Sequence, residues 1–290
     1  MDFKQIEAFI NVAKFKSFSK AAEAIFLSQP TISAHISNLE KELNTTLFDR
    51  SSKEVNLTPA GKIFFDYALN LLNIRNNAIY SINEFQKNIT GKLNIASSTT
   101  PCRFLLPSLV KKFTENYPSV DFDVKEDSTK NVIGLVLNGD VELGIVGETI
   151  CDERLEYKKI ADDNLILISS PDVPSINSIE DMIKEKFILR ESGSATRNVF
   201  EEFLSSNGLL EKIKVAIETS SLEAVLQFVK NGLGVSVVSE LACEDYIKAG
   251  YIKKHDVKNL DLKRNIYLVL HQKRTLSPAA RAFKEFISNI

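Results

Sequence analysis

Residues 17–43 read SFSKAAEAIFLSQPTISAHISNLEKEL. Ser19 is suited to cap a helix whose apolar positions are Ala21, Ala22, Ile25 and Phe26, because a short hydroxyl can accept from the free N–H groups of a first turn. Leu27 and Ser28 fill a turn. Ser28 then caps a second helix, and Pro30 sits in its first turn, where a missing N–H costs little. Ile32, Ile36, Leu39 and Leu43 recur at i, i+4, i+7 and i+11 and make that helix's buried stripe. Its other face offers Gln29, Thr31, Ser33, Ala34, His35 and Ser37. Two short helices joined by a tight turn, the second polar on its outer side, form a helix-turn-helix, which sets such a face into the major groove of DNA. Gln can bond adenine through two atoms, and Ser, Thr and His reach base edges or phosphates. The competing reading is an ordinary helical hairpin within a larger core.

The next residues favour the first reading. Leu47-Phe48-Asp49-Arg50 leads into Ser51-Ser52-Lys53-Glu54-Val55-Asn56-Leu57-Thr58, two short strands around a polar turn. That is a wing, with Arg50 and Lys53 placed for phosphates. Thr58 caps, and Pro59 opens, a long helix over 59–88. Its Phe64, Ala68, Leu71, Arg75, Ala78, Ile82 and Phe85 step by fours and threes, a coiled-coil seam interrupted by Arg75. Such a stripe needs cover, either from a second copy of the chain or from the helix's own domain. Thr90-Gly91 ends the helix as a hinge.

Residues 1–60 resemble the winged helix-turn-helix of LysR-type transcriptional regulators. The resemblance rests on Phe9, Ser17, Ser19, Ala21, Ala22, Leu27, Ser28-Gln29-Pro30, Ser33, Ile36, Leu39, Glu40, Leu43, Leu47-Phe48, Arg50, Leu57-Thr58-Pro59 and Gly61. It implies Gln29, Pro30, Ser33 and His35 near base edges, and Ser17, Ser19, Thr31, Arg50, Lys53 and Thr58 at the DNA-binding surface. It also implies a homodimer on double-stranded, near-palindromic DNA, assembled further as a tetramer, a dimer of dimers. Many relatives have Arg where this chain has Ala34, which leaves the operator sequence open.

The chain has 290 residues, room for two or three domains, and a net charge of −2. Residues 1–58 hold seven Lys/Arg and seven Asp/Glu, so DNA affinity must come from local placement and dimerisation rather than a general positive field. No signal peptide or membrane-length apolar run is visible, which predicts a cytoplasmic protein. Cys102, Cys151 and Cys243 are widely spaced with no CxxC pair, as expected of reduced thiols. Cys102 lies beside a predicted pocket.

From residue 92 the pattern alternates strands with helices. Strands are expected near 92–96, 120–126, 142–146, 165–169, 187–190, 214–218, 234–238 and 265–270, and helices near 107–117, 131–138, 196–206, 222–231 and 277–288. This is α/β with largely parallel sheets. Ligands in such folds bind beyond the carboxyl ends of strands, against helix N-termini. Two segments fit: Ser97-Ser98-Thr99-Thr100-Pro101, and Arg190-Glu191-Ser192-Gly193-Ser194-Ala195-Thr196-Arg197, where Gly193 permits close approach and Arg197 supplies a planar cation. Ser128-Thr129-Lys130 and Gly147-Glu148 follow neighbouring strands and are placed to line the same cleft. Each segment can equally be a helix cap and nothing more.

This half is similar to the periplasmic-binding-protein-like effector domain of LysR-type regulators. The segments ESGSATR (191–197) and SSLEAVLQFVKNGLGVSVVSE (220–240) are similar to a branch that includes regulators of sulfur assimilation and carbon fixation. The resemblance implies two lobes joined by crossovers near Asp162-Asp163 and Arg264-Asn265, with a small-molecule effector between them, an oxyanion or carboxylate. It places Ser98, Thr99, Thr100, Thr129, Gly147, Gly193, Thr196 and Arg197 around that effector. The expected organisation is a DNA-binding domain (1–58), a linker helix and hinge (59–90), lobe I (91–162 plus 265–290) and lobe II (163–264). No hydrolase elbow, phosphate-binding loop, dinucleotide fingerprint or zinc-protease motif is present, and the histidines are only His35, His255 and His271. The reading is therefore a regulator and not an enzyme, with no cofactor; the alternative is a solute-binding protein without DNA function.

Overall fold

The computed structural model describes residues 1–49, 55–84 and 89–289. The chain divides into two compact units, residues 1–89 with 272–281, and residues 90–271 with 282–290.

In the first unit α1 (Phe3–Phe15) opens on a capping box: Asp2 accepts from the Gln5 N–H at 2.8 Å, and Gln5 accepts from the Asp2 N–H at 3.0 Å. Then follow α2 (Phe18–Ala24), α3 (Gln29–Glu42), the two-residue strands β1 (Phe48–Asp49) and β2 (Asn56–Leu57), paired antiparallel, and α4 (Pro59–Glu84). Ser17, not Ser19, caps α2, and Ser28 caps α3. Phe9, Val12, Ala21, Ile32, Ile36, Leu39 and Ala68 are fully buried, and the Phe9 ring packs edge-on against Phe64 with centroids 4.9 Å apart. Glu40 ties α3 to β1 by accepting from the N–H groups of Leu47 at 2.7 Å and Phe48 at 3.3 Å.

Three apolar expectations fail here. Phe26 is 95% exposed, with φ of 55°, because the turn between α2 and α3 is left-handed at that residue and swings its ring outward. Leu43 caps the C-terminus of α3 and is 36% exposed rather than buried. The predicted seam of α4 is divided. Ala68 is buried, Phe64 and Leu71 pack against the unit's own core, and Arg75 pairs with Glu7 at 3.0 Å, while Ala78 and Ile82 are exposed. The unit's core covers the seam only as far as Leu71, so Ile82 farther along it is left exposed, and a second stripe, Ile63, Tyr67 and Ile74, about 100° around the helix, remains uncovered as well. Phe85 lies outside the described residues. Residues 272–281 complete this unit: the Leu276 carbonyl accepts from the Asn77 amide at 2.8 Å, and the Thr275 N–H donates to Asn70 at 3.0 Å.

The second unit begins with β3 (Gly91–Ser98), α5 (Thr99–Phe104), α6 (Leu106–Asn116), β4 (Val120–Asp127), α7 (Thr129–Leu137) and β5 (Leu143–Val146). It continues through β6 (Leu155–Ser169), α8 (Ile179–Met182), β7 (Lys186–Arg190), α9 (Ala195–Ser206), β8 (Lys214–Thr219), α10 (Leu222–Lys230), β9 (Ser236–Ser239), α11 (Glu240–Lys248), β10 (Lys253–His255), β11 (Leu262–His271) and α12 (Pro278–Ser288), whose first residues belong to the other unit. The principal sheet runs β10-β6-β11-β5-β3-β4, with β9 also on β6. Only β3 with its neighbours β4 and β5 is parallel there; β11 runs antiparallel to β5 and β6, and β9 and β10 antiparallel to β6. The expected parallel character thus holds for β3–β5 and for the separate β7–β8 pair. The antiparallel centre escaped the sequence because β6 and β11 are long strands that double back along one another, a feature hydropathy does not encode. In their ladder Asp163 lies opposite Arg264, and Asp162 opposite Asn265. Among the described residues, no helix is long and apolar enough to cross a membrane.

His255 is buried on β10. Its Nδ1 accepts from the Ile176 N–H at 3.1 Å, and its Nε2 lies 2.7 Å from Ser169 Oγ, which itself donates to the Ser170 carbonyl. That arrangement needs the neutral ring protonated at Nε2. Burial, and then nearby Lys253, push its pKa below the ordinary 6.5. The depressed folded value means the contribution is complete above about pH 6.5 and is lost as pH falls through the folded pKa. The expected result is a urea midpoint for the second unit that drops between pH 7.5 and 5.5 in the wild type and drops less in His255→Gln; parallel profiles would refute it.

Candidate functional site

The face available to DNA is built on α3. Gln29, Pro30 and Ala34 are exposed there, and Thr31, Ser33 and His35 half-buried. Ser19 Oγ reaches Gln29 Oε1 at 3.4 Å, so α2 helps position the glutamine. Ser17 Oγ accepts from the Lys20 N–H, which leaves its own proton for a phosphate. Thr58 differs: its hydroxyl donates to the Thr46 carbonyl at 2.8 Å and accepts from the Gly61 N–H at 3.0 Å. It caps α4 and has no proton left for a phosphate. Arg50 and Lys53 lie outside the described residues.

The second site is a pocket in the second unit. Ser98, Thr99 and Thr100 line it from the end of β3 into α5, Asp127, Ser128 and Thr129 from the end of β4 into α7, and Arg190, Glu191 and Gly193–Thr196 from the end of β7 into α9; Arg264 of β11 completes it. Parallel strands each giving way to a helix bring these backbones together. Ser128 caps α7 through the Asn131 N–H at 3.3 Å, whereas α9 has no side-chain cap, so its first N–H groups remain available. Gly193, at φ of 88°, allows the chain to turn into α9. Ser98, Thr100, Thr129, Arg190, Ser194, Thr196 and Arg264 are each less than one-tenth exposed.

Six of the eight predicted effector residues line this pocket: Ser98, Thr99, Thr100, Thr129, Gly193 and Thr196. Gly147 does not line it, but a Cβ there would stand 3.1 Å from Arg264 Nη1. Arg197 is not in the pocket. One step along α9 from Thr196, it is turned about 100° around the helix axis, and its guanidinium bonds Glu201 at 2.6 Å, Glu218 at 2.6 Å and the Arg190 carbonyl at 2.8 Å. The cations that do line the pocket are Arg190, forked onto Glu191 at 2.8 and 3.0 Å, and Arg264. Arg264 Nε donates to Asp163 at 2.7 Å and Nη1 to Thr196 Oγ1 at 2.9 Å; Asp163 also accepts from Ser239 Oγ at 2.6 Å. Sequence reasoning missed Arg264 and Asp127 as lining residues. The available signal is the crossover expected near Arg264-Asn265, which brings Arg264 to the junction of the two lobes expected from the sequence.

Cys102 is partly buried on α5, and burial, then Glu126, push its thiol pKa up. Buried Cys243 is pushed up to about 12. Both environments hold the unreactive thiol form.

A helix-turn-helix unit together with an α/β unit carrying a polar pocket is the layout of a ligand-controlled regulator. Residues 3–62 match the family described as bacterial regulatory helix-turn-helix protein, lysR family, and residues 86–289 match the LysR substrate binding domain. The chain belongs to the LysR family of DNA-binding transcriptional regulators with an effector-binding domain. It is 36% identical to an uncharacterized HTH-type transcriptional regulator of Methanocaldococcus jannaschii, over 98% of this chain and 97% of that one. It is 32% identical to a probable RuBisCO transcriptional regulator of Cyanidium caldarium, over 92% of this chain and 87% of that one. Among solved structures, the Synechocystis PCC6803 CcmR regulatory domain in complex with 2-PG matches with a TM-score of 0.64 and 25% identity, over 69% of this chain and 97% of that one.

Proposed function

We propose that this regulator binds a small anion, an oxyanion or a carboxylate, in the pocket formed by residues 98–100, 127–129, 190–196 and 264, and that occupancy changes how paired DNA-binding units address a near-palindromic site. The observation that carries this reading is the company of buried hydroxyls, two guanidinium groups and the uncapped start of α9 in one pocket. The 2-PG bound by the similar CcmR domain supports the ligand class. In this reading residues 91–162 plus 265–290 and 163–264 are two lobes, and the ligand acts by its difference in affinity between two arrangements of them. Gln29, Pro30, Ser33 and His35 address base edges; Ser17, Ser19, Thr31, Arg50 and Lys53 serve the backbone, and Thr58 holds α4 in place. The uncovered α4 residues Ile63, Tyr67, Ile74 and Ile82 suit a second copy of the chain.

The test combines thermal shift with sedimentation on the full chain. Sulfate, sulfite, phosphate or 2-PG is expected to raise the melting temperature in a saturable way, with stabilisation of about 2.7 kcal/mol at 100 times Kd. The protein is expected to sediment as a dimer or larger, and Tyr67→Asp to release monomers. A folded protein that none of these anions stabilises would overturn the ligand class, and a monomeric wild type would overturn the assembly.

A further inference from the structure

One arginine that lines the pocket carries a side-chain donor that the described residues do not satisfy. The Arg264 side chain is 6% exposed, and its Nε and Nη1 are engaged by Asp163 and Thr196. Its Nη2 is buried and has no hydrogen-bond partner among the described residues. Leaving a charged donor buried and unbonded is costly, so such an atom on a residue that lines a pocket calls for an acceptor that arrives from outside. The other two arginines differ. Arg190 is forked onto Glu191 through Nε and Nη2, and Arg197 is enclosed by Glu201, Glu218 and a carbonyl. The uncapped N–H groups that open α9 come from the same wall, since Ala195 and Thr196 also line the pocket; the Ser194 N–H is taken by the Glu191 carbonyl at 3.2 Å.

We propose that Arg264 reads the charge of the ligand: its Nη2 donates to one oxygen of a carboxylate, sulfo or phosphoryl group, while the start of α9 and the surrounding hydroxyls serve the remaining oxygens. The inference rests on the pocket being the effector site. It also gives the ligand a mechanical consequence. The guanidinium that meets the anion already braces Asp163, directly opposite on β6, and Thr196, in the first turn of α9. An anion on Nη2 therefore locks one group that spans both long strands and α9, and places the readout of occupancy where those strands pass each other.

The experiment is titration calorimetry on the full chain with sulfate, phosphate, 2-PG and glycolate, and with glycolamide as the neutral counterpart of glycolate. The wild type is expected to bind at least one anion and to prefer glycolate over glycolamide. Arg264→Gln is expected to weaken anion binding roughly 30-fold or more and to abolish the preference for charge. The double variant Arg264→Gln with Asp163→Asn removes both buried charges and should behave alike, which keeps the test available if the single variant unfolds. Arg197→Lys should bind as the wild type does. A purely structural role would lower the melting temperature of the free protein and leave the charge preference intact. Undiminished preference for the anion in either folded Arg264 variant overturns the inference while the pocket reading stands. A wild type that binds none of the anions overturns both.

Discussion

Asp163→Ala is expected to destabilise the second unit by about 3–5 kcal/mol, the range for removing one partner of a buried ion pair. The Asp163 side chain is 0% exposed and accepts from two donors, Arg264 Nε at 2.7 Å and Ser239 Oγ at 2.6 Å. Truncation leaves the guanidinium buried with only the Thr196 hydroxyl for company. The loss lies in the uncompensated charge more than in any intrinsic strength of the bridge, so joint replacement by Arg264→Met and Asp163→Leu should cost less than Asp163→Ala alone. Hydrogen exchange across 155–169 and 262–271, with and without urea, measures both. A shift below about 1 kcal/mol for Asp163→Ala would mean that water reaches the pair and that its burial matters little.

The second large effect belongs to Gly61. A Cβ there would stand 2.1 Å from the Leu47 carbonyl oxygen, an atom that already accepts from the Thr58 N–H at 3.0 Å. The obstacle is backbone and cannot rotate aside, so either α4 or the approach to β1 must move. Gly61→Ala is expected to cost about 3 kcal/mol or more and to abolish specific DNA binding, because β1 and the cap of α4 are displaced together. Gly134→Ala is the control. It meets nothing within 4 Å inside α7 and should stabilise by roughly 0.5–1 kcal/mol. Calorimetric melting of the three proteins decides the matter; a Gly61→Ala protein that melts with the wild type would show that Leu47 can yield.

What the sequence revealed follows from which forces are local. Capping is local: Ser28 with Pro30 and Thr58 with Pro59 mark helix starts that the structure has at those residues. Ser17 and Ser19 are equally able to cap, and which one does so depends on how α2 meets α1 and α3. The stripe on α4 was legible as apolar, but which part faces inward depends on Phe9 and the rest of the DNA-binding core. The pocket was legible because strand-to-helix junctions advertise themselves through Ser, Thr and Gly. The identity of its unsatisfied cation was not. Arg197 is the neighbour of Thr196 along the chain, yet the residue that bonds Thr196 is Arg264, 68 positions later. Chain proximity names the segment, while the direction of a side chain around a helix is set by tertiary partners such as Glu201 and Glu218.

The segment 272–281 bears on the order in which this protein can be made. Its bonds to α4 join residues 199 and 205 positions apart. During synthesis the helices of the first unit emerge early and can fold on local contacts. The strip that completes them, residues 272–281, is made only after residues 90–271 of the second unit. Until then Asn70 and Asn77 of α4 lack these partners, so a unit whose helices are made before the second unit is completed after most of it. A DNA-binding head completed by residues that follow nearly all of the second unit gives a product terminated before residue 272 little opportunity to act as a regulator.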